Sequence, residues 1–95
     1  MTPEETICEA IRNRRRLSFT YGGSRRVVDP YILGHDAEGR ALLSAVQVSG
    51  GSGAGFRTFE LAGIDALSIT PETFFGNHPR YNPRDRLFAR MLCRI

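Results

Sequence analysis

Apolar positions follow a helical spacing at the start of the chain and a two-residue alternation over much of the rest. A capping residue, a proline suited to the first helical position and a glutamate that completes a capping box come first: Thr2, Pro3 and Glu5. The apolar positions that follow lie on one helical face: Ile7, Ala10 and Ile11. This pattern predicts an amphipathic helix over residues 3–13.

Five later segments show the alternation and the apolar content of short β-strands. They span residues 16–21, 25–34, 40–48, 56–61 and 64–69. Turn residues separate them, and Gly22-Gly23-Ser24 between the first two predicts a hairpin. Pro30 lies inside the second segment and has no backbone N–H to donate, so we expect an edge, a bulge or a bend there.

The remaining segments are a glycine-rich stretch and a C-terminal apolar pattern. Residues 49–55 contain four glycines and two serines, which predicts a flexible loop. Pro83 is suited to open a helix, and the apolar positions behind it recur at a helical spacing: Leu87, Phe88, Met91 and Leu92. We therefore predict a final helix from Pro83 to Leu92.

The order of the elements predicts a mainly β domain of the α+β class. Consecutive strands joined by short turns are antiparallel neighbours in a sheet. Five short, bent strands of this kind close most easily into a small SH3-like or Sm-like barrel, here with an N-terminal and a C-terminal helix. Because the chain has 95 residues and no interdomain linker, we expect a single domain over residues 1–95.

Arginine alone carries the positive charge of the chain. All 13 basic residues are arginine, whose planar guanidinium suits phosphate, carboxylate and stacked bases. They concentrate in residues 1–26 and 80–95, whereas the middle of the chain is net acidic. If the two ends meet in the fold, they would form a basic face. The alternative is a solvated surface without a partner.

Several functional classes find no support in the sequence. Glu4, Glu5 and Glu9 stand where a signal peptide would be basic, and no segment approaches the roughly 20 apolar residues of a membrane span, so we expect a cytoplasmic protein that binds no membrane. Cys8 and Cys93 stand among apolar neighbours, which favours small buried side chains over a disulfide. No metal-ligand spacing or catalytic motif is present, so we predict neither an enzyme nor a cofactor.

Arginines on otherwise apolar strands are the main candidate ligand-binding residues. Arg57 has the same strand parity as Phe59, so it would lie at the rim of the core, where its guanidinium could grip a phosphate. The alternative for Arg57 is a structural ion pair with Asp29 or Glu60. Arg26, on the bent second strand, is the other candidate phosphate contact, and it too could be structural.

Two further side chains and three weaker arginines complete the candidate site. Tyr31 could stack on a base, or it could be a core aromatic with a locally bonded hydroxyl. Gln47 could read a base edge, or it could satisfy nearby backbone groups. Three arginines are weaker candidates for nucleic-acid contacts: Arg14, Arg16 and Arg25.

The order and spacing of these motifs resemble those of a WYL domain over nearly the whole chain. The similar segments are the opening helix, the strand over 17–21, the stretch Arg26-Val27-Val28-Asp29-Pro30-Tyr31, and Arg57-Thr58-Phe59-Glu60-Leu61 followed by Ile64. The sequence departs from the family pattern at two places. The tripeptide that names the family falls on Ala41-Leu42-Leu43, and an arginine usual before the isoleucine falls on Gly63.

The resemblance implies an Sm-like barrel that acts as a regulatory ligand sensor. It further implies an anionic ligand, a nucleotide or single-stranded nucleic acid, bound through basic residues in transcriptional or defence regulation. A bacterial transcriptional regulator is the partner that this implies. The rival interpretation is a protein–protein interaction module, such as a homodimer paired through strand edges, whose arginines merely solvate the surface.

Overall fold

The computed structural model describes residues 1–50 and 55–95. Helix α1 spans Pro3–Asn13, and six strands follow: β1 Arg15–Tyr21, β2 Ser24–His35, β3 Ala41–Ser49, β4 Gly55–Glu60, β5 Asp65–Thr73 and β6 Arg90–Arg94. A short 3-10 helix, Leu61–Gly63, joins β4 to β5. The mainly β class and the N-terminal helix over residues 3–13 are confirmed.

Helix α1 begins at the capping box that the sequence predicts. The Thr2 hydroxyl accepts the Glu5 N–H at 3.1 Å, and the Glu5 carboxylate accepts the Thr2 N–H at 2.8 Å. The helix ends where Arg14 takes a left-handed backbone conformation with φ 54°. Its buried face packs onto the sheet through Ile7, Ala10 and Ile11.

The strands form one antiparallel sheet in the order β4-β3-β2-β1-β5, and β6 also pairs with β2. The predicted hairpin joins β1 to β2 through Gly22 and Gly23, whose φ angles are 58° and 78°. The irregularity predicted at Pro30 is present as well, because the register between β2 and β3 shifts between Pro30 and Ile32.

Two clusters of buried side chains cover the two faces of β2 and β3. The first cluster joins α1 to the sheet and includes Leu17, Phe19, Val28, Leu43 and Phe59. The second cluster contains Tyr31, Ile32, Leu42 and Phe88. Leu42 and Leu43 are neighbours on β3 but belong to different clusters, so the clusters lie on opposite faces. We call these the core face and the outer face.

Two parts of the predicted architecture are wrong. The sheet is not a closed five-stranded barrel, because β4 and β5 stand at opposite ends of the strand order without pairing in the described residues, and a sixth strand is present. The helix predicted from Pro83 to Leu92 is replaced by turns and by β6. Gly34 permits the approach of β6, because a Cβ on Gly34 would collide with the backbone of Arg90 and Met91.

The expectation for the cysteines is also wrong. Cys8 on α1 and Cys93 on β6 form a disulfide bond, with their Cα atoms 5.8 Å apart. The pairing of β6 with β2 brings Cys93 beside α1. A separation of 85 positions hides this neighbourhood from any local reading of the sequence.

Two smaller expectations concern the loop after β3 and the fifth strand. The predicted flexible loop over residues 49–55 falls partly on residues 51–54, outside the described residues. The fifth strand is longer than predicted, since β5 continues through Pro71 to Thr73. Within the described ranges, no helix has the length and apolar content to cross a membrane.

Candidate functional site

Arg26 occupies the edge of the core face, where β2 places it opposite Phe19 of β1. Its side chain is half-buried and held by neutral groups. Nη1 donates to Oε1 of Gln47 at 2.9 Å, and Nη2 donates to the carbonyl oxygen of Tyr21 at 3.1 Å. The guanidinium carbon lies 5.7 Å from the centre of the Tyr21 ring and 6.0 Å from that of Phe59.

The positive charge of Arg26 has no counter-charge in the described part of the chain. None of the ion pairs among the described residues involves Arg26. Its Nε is buried and its N–H finds no acceptor among residues 1–50 and 55–95. Amide, carbonyl and aromatic groups stabilise a cation, but none of them neutralises it. The core face therefore carries a fixed, partly desolvated positive charge.

Gln47 holds Arg26 in place and connects it to the loop after β3. The side chain of Gln47 is 1% exposed, accepts from Arg26 and donates from Nε2 to the carbonyl oxygen of Gly50 at 2.6 Å. Gly50 has φ 92°, and a Cβ there would collide with the carbonyl of Arg25. The buried amide of Gln47 therefore links Gly50 to the Arg26 guanidinium, and only a glycine fits at position 50.

Arg57 lies on the same face of the sheet. It is half-buried on β4, faces Ala45 across the strand pair and precedes buried Phe59 by two residues, as its parity predicts. The two carboxylates considered as its partners each bind another arginine, because Asp29 pairs with Arg16 at 2.8 Å and Glu60 with Arg40 at 3.2 Å.

Tyr31 lies on the outer face, away from these three residues. It is 3% exposed, its hydroxyl accepts the His78 N–H at 3.0 Å, and its ring lies 5.6 Å from that of Phe74 and 4.9 Å from that of Tyr81. Tyr31 is five positions after Arg26 on β2, and this odd separation puts the two side chains on opposite faces of the strand. The structure thus brings Arg26 and Gln47 together, sets Arg57 on their face and separates Tyr31 from them.

The three weaker candidates do not converge either. Arg14 follows the helix and donates from Nη1 to the carbonyl oxygen of Ile11 at 2.7 Å. Arg16 forms its ion pair with Asp29. Arg25 is exposed and lies opposite Thr20 in the β1–β2 pair.

Tyr21 is the site residue that sequence reasoning missed. Its ring contacts the Arg26 guanidinium and lies 5.0 Å from the ring of Phe59, and its hydroxyl accepts the Glu60 N–H at 3.1 Å. The alternation along β1, which puts Tyr21 on the face of Phe19, was the signal available. Gly63 leaves room for this ring, since a Cβ there would lie 3.0 Å from Cε1 of Tyr21.

The described residues hold no group of three or more His, Cys, Asp or Glu side chains that could bind a metal ion. The polar groups around Arg26 are the guanidinium itself, the amide of Gln47 and the carbonyl oxygen of Tyr21. With respect to the residues that the structure describes, Nη1 and Nη2 each donate one N–H, and a second N–H remains on each.

Comparison with known proteins gives one match. The family model of the WYL domain matches residues 4–69, which is more than half of the 95-residue chain. Neither the curated proteins nor the solved structures contain a match to the chain. The matched span includes α1 from its second residue, β1 to β4, and both Arg26 and Arg57.

Proposed function

The chain belongs to the WYL-domain family, and on that premise we propose that it binds an anionic ligand at Arg26. Domains of this family are generally regulatory ligand-sensing domains. The ligand class in this proposal is a nucleotide or a short single-stranded nucleic acid, and the setting is transcriptional or defence regulation. The proposed role is binding without catalysis.

The observation that carries the proposal is the uncompensated charge of Arg26. A half-buried cation that forms no ion pair with the described residues has lost part of its hydration without that compensation. A phosphate that approached the two remaining N–H groups would supply the missing counter-charge and form charge-assisted hydrogen bonds.

The neighbours of Arg26 support this role. Gln47 and the Tyr21 carbonyl fix the guanidinium in one orientation, so little side-chain entropy remains to be lost on binding. Arg57 adds a second guanidinium on the same face of the sheet, and a phosphodiester or a polyphosphate could engage both.

The test is a binding titration with labelled single-stranded oligonucleotide and labelled nucleotide at two salt concentrations. Arg26→Gln is expected to weaken binding by about 10- to 100-fold, because a hydrogen bond to a charged group contributes about 1.5–3 kcal/mol. Arg57→Gln should weaken binding in the same direction. Affinity should fall as salt rises, with a smaller slope in each variant.

The matched control is Arg84→Gln, which removes the same charge from an exposed position. Its affinity should stay within about twofold of the wild type, because an exposed charge outside the proposed site acts through screened electrostatics. Circular dichroism confirms that each variant folds. Absent or salt-insensitive binding, or equal losses in Arg26→Gln and Arg84→Gln, would contradict the proposal.

The rival proposal is a protein–protein module, either a homodimer or a complex with a transcriptional regulator. The observation in its favour is that β4 and β5 stand at the ends of the sheet, where an added strand could pair. Light scattering after size exclusion, and a pull-down from nuclease-treated lysate, separate the two proposals. A protein partner retained by the Arg26→Gln variant supports the rival.

A further inference from the structure

A pocket of about 470 Å³ opens on the outer face, apart from the Arg26 site. Its walls come from β1, β2 and the segment after β5, and they include Arg16, Asp29, Tyr31, Phe74, Phe75 and His78. This volume falls in the usual range for small-molecule sites, about 300–1,000 Å³. The 73–79 segment that forms one wall lies entirely beyond the matched family region.

Aromatic rings form one side of this pocket. Tyr31 is almost completely buried, and its ring lies 5.6 Å from that of Phe74. Phe75 is 92% exposed at the rim, although the removal of a phenylalanine ring from water is energetically favourable. A flat ligand that entered the pocket could cover the face of Phe75 and stack on it.

The lining also has a polar part, which carries both a carboxylate and a guanidinium. Asp29 is 13% exposed at its side chain, and its Oδ1 accepts from Nε of Arg16 at 2.8 Å. Its Oδ2 receives no hydrogen bond from the described residues. Burial raises the pKa of the Asp29 carboxyl, against the opposing effect of Arg16. The Tyr31 hydroxyl already accepts the His78 N–H and has its own proton to donate.

These features exclude simple ions as the preferred ligand. The paired charges of Arg16 and Asp29 cancel, so an isolated anion would meet the carboxylate and an isolated cation would meet the guanidinium. A neutral, planar molecule with N–H donors and carbonyl acceptors along one edge satisfies both groups and presents its face to the aromatic side.

We propose that this pocket is a second binding site, for a planar heterocycle of the nucleobase class that donates N–H groups to Asp29 and stacks on Phe75. Guanine fits best, because its adjacent ring N–H and amino group donate along one edge and its carbonyl accepts. The inference does not rest on the Arg26 site, since the two sites use different residues on different faces.

The experiment is a titration of guanosine, which has no phosphate, followed by ligand-detected NMR and calorimetry. Phe75→Ala is expected to weaken guanosine binding roughly tenfold, the usual scale for loss of one base–aromatic stack. Asp29→Asn should weaken the binding of guanosine more than that of adenosine, because the substitution replaces one acceptor oxygen of the carboxylate with an NH₂ donor. Arg26→Gln should leave guanosine affinity unchanged.

Phe75→Ala keeps the test decisive if Asp29→Asn fails to fold, because Phe75 is too exposed to support the core. Absence of guanosine binding at millimolar concentration, or affinity unchanged in Phe75→Ala, would overturn the proposal. A labelled oligonucleotide distinguishes the source of the base. If guanosine displaces the oligonucleotide and Phe75→Ala weakens oligonucleotide binding, the pocket binds a base within a strand. If neither occurs while guanosine binds, the pocket binds a free nucleoside.

The two proposals can fail separately. Loss of oligonucleotide binding in Arg26→Gln with intact guanosine binding supports both. If oligonucleotide affinity is unchanged in Arg26→Gln, the proposal for Arg26 is wrong. The guanosine titration then tests the proposal for the pocket by itself.

Discussion

Asp36 organises the turn between β2 and β3 with both of its carboxylate oxygens. Oδ1 accepts the backbone N–H groups of Glu38 at 3.0 Å and Arg40 at 2.9 Å, and Oδ2 accepts from Nε of Arg40 at 2.8 Å. Desolvation acts to raise the pKa of this carboxyl, but the hydrogen bonds and the charge of Arg40 outweigh it, so the pKa of Asp36 lies below its ordinary value.

This lowered pKa predicts acid sensitivity at one residue. A carboxyl whose pKa is lower in the folded state stabilises the fold above its unfolded pKa, 3.8, and loses that contribution as the pH falls through the folded value. Melting temperature should therefore fall more steeply below about pH 4 in the wild type than in Asp36→Asn. The exposed Asp65→Asn is the matched control and should follow the wild type. Parallel curves for wild type and Asp36→Asn would refute the assignment.

Strand parity made part of the candidate site predictable from the sequence. It placed Arg57 on the face of Phe59, and both lie there in the structure. Parity also separates Tyr31 from Arg26, because the two lie five positions apart on β2. It could not assign the faces beyond Pro30, since the register shift there puts Ile32 on the outer face and Leu33 on the core face. It also could not show that Asp29 binds Arg16, since that choice depends on which carboxylate lies opposite once β1 and β2 have paired.

At the scale of elements, β6 depends on one glycine of β2. Gly34 has an ordinary backbone conformation, so a glycine is needed there for lack of space and not for a special φ angle. A Cβ there would meet the Arg90 carbonyl oxygen, and it would lie 2.9 Å from Cδ1 of Phe88 and 3.0 Å from the Cα of Met91. Two of these three neighbours are backbone atoms and cannot rotate away.

Gly34→Ala is therefore expected to destabilise the fold by about 1–3 kcal/mol, the usual cost of overpacking. Chemical denaturation measures this free energy of unfolding. Gly63→Ala is the matched comparison and should cost less, since its Cβ would meet only the ring of half-buried Tyr21, at 3.0 Å. Equal stability of Gly34→Ala and wild type would show that β6 does not pack on β2 in this way.

The failed C-terminal helix shows where local sequence reasoning stops. Leu87, Phe88, Met91 and Leu92 recur at helical spacing, but residues 82–88 form turns in which Asn82 accepts the Arg84 N–H and Asp85 accepts the Leu87 N–H. The strand that follows is short, and it exists because β2 offers it backbone partners. Such tertiary pairing overrides propensity and leaves little trace in the sequence. The other strands could be predicted because each has its own alternation and turns.

At the scale of the whole molecule, the two ends of the chain are tied to each other. The Cys8–Cys93 disulfide joins α1 to β6, the Ile95 N–H donates to the Tyr31 carbonyl oxygen at 2.9 Å, and the Tyr81 hydroxyl donates to the Ile95 carbonyl oxygen at 2.8 Å. The arginine-rich ends therefore meet in the fold, as a basic face would require.

Reduction of this disulfide should lower stability more than any single substitution above. A cross-link between residues 85 positions apart removes unfolded-state entropy equivalent to about 4–5 kcal/mol in the chain-entropy model. Even half of that value corresponds to a fall in melting temperature of about 10 °C or more for a domain of this size. Calorimetry with and without a reductant measures the change.

The double variant Cys8→Ser, Cys93→Ser separates this effect from other actions of the reductant. Its melting temperature should be low both with and without the reductant. Hydrogen exchange then locates the loss. Since β6 is held by β2 on one side and by the disulfide on the other, the Cys93 and Ile95 amides should lose protection before those of β1 and β3. Uniform loss across the sheet would mean that the bond acts on the unfolded chain alone. Loss confined to β6 would mean that the disulfide also stabilises the folded position of β6 and of the aromatic residues packed beside Tyr31. In that case guanosine affinity should fall on reduction, whereas phosphate binding at Arg26 should persist.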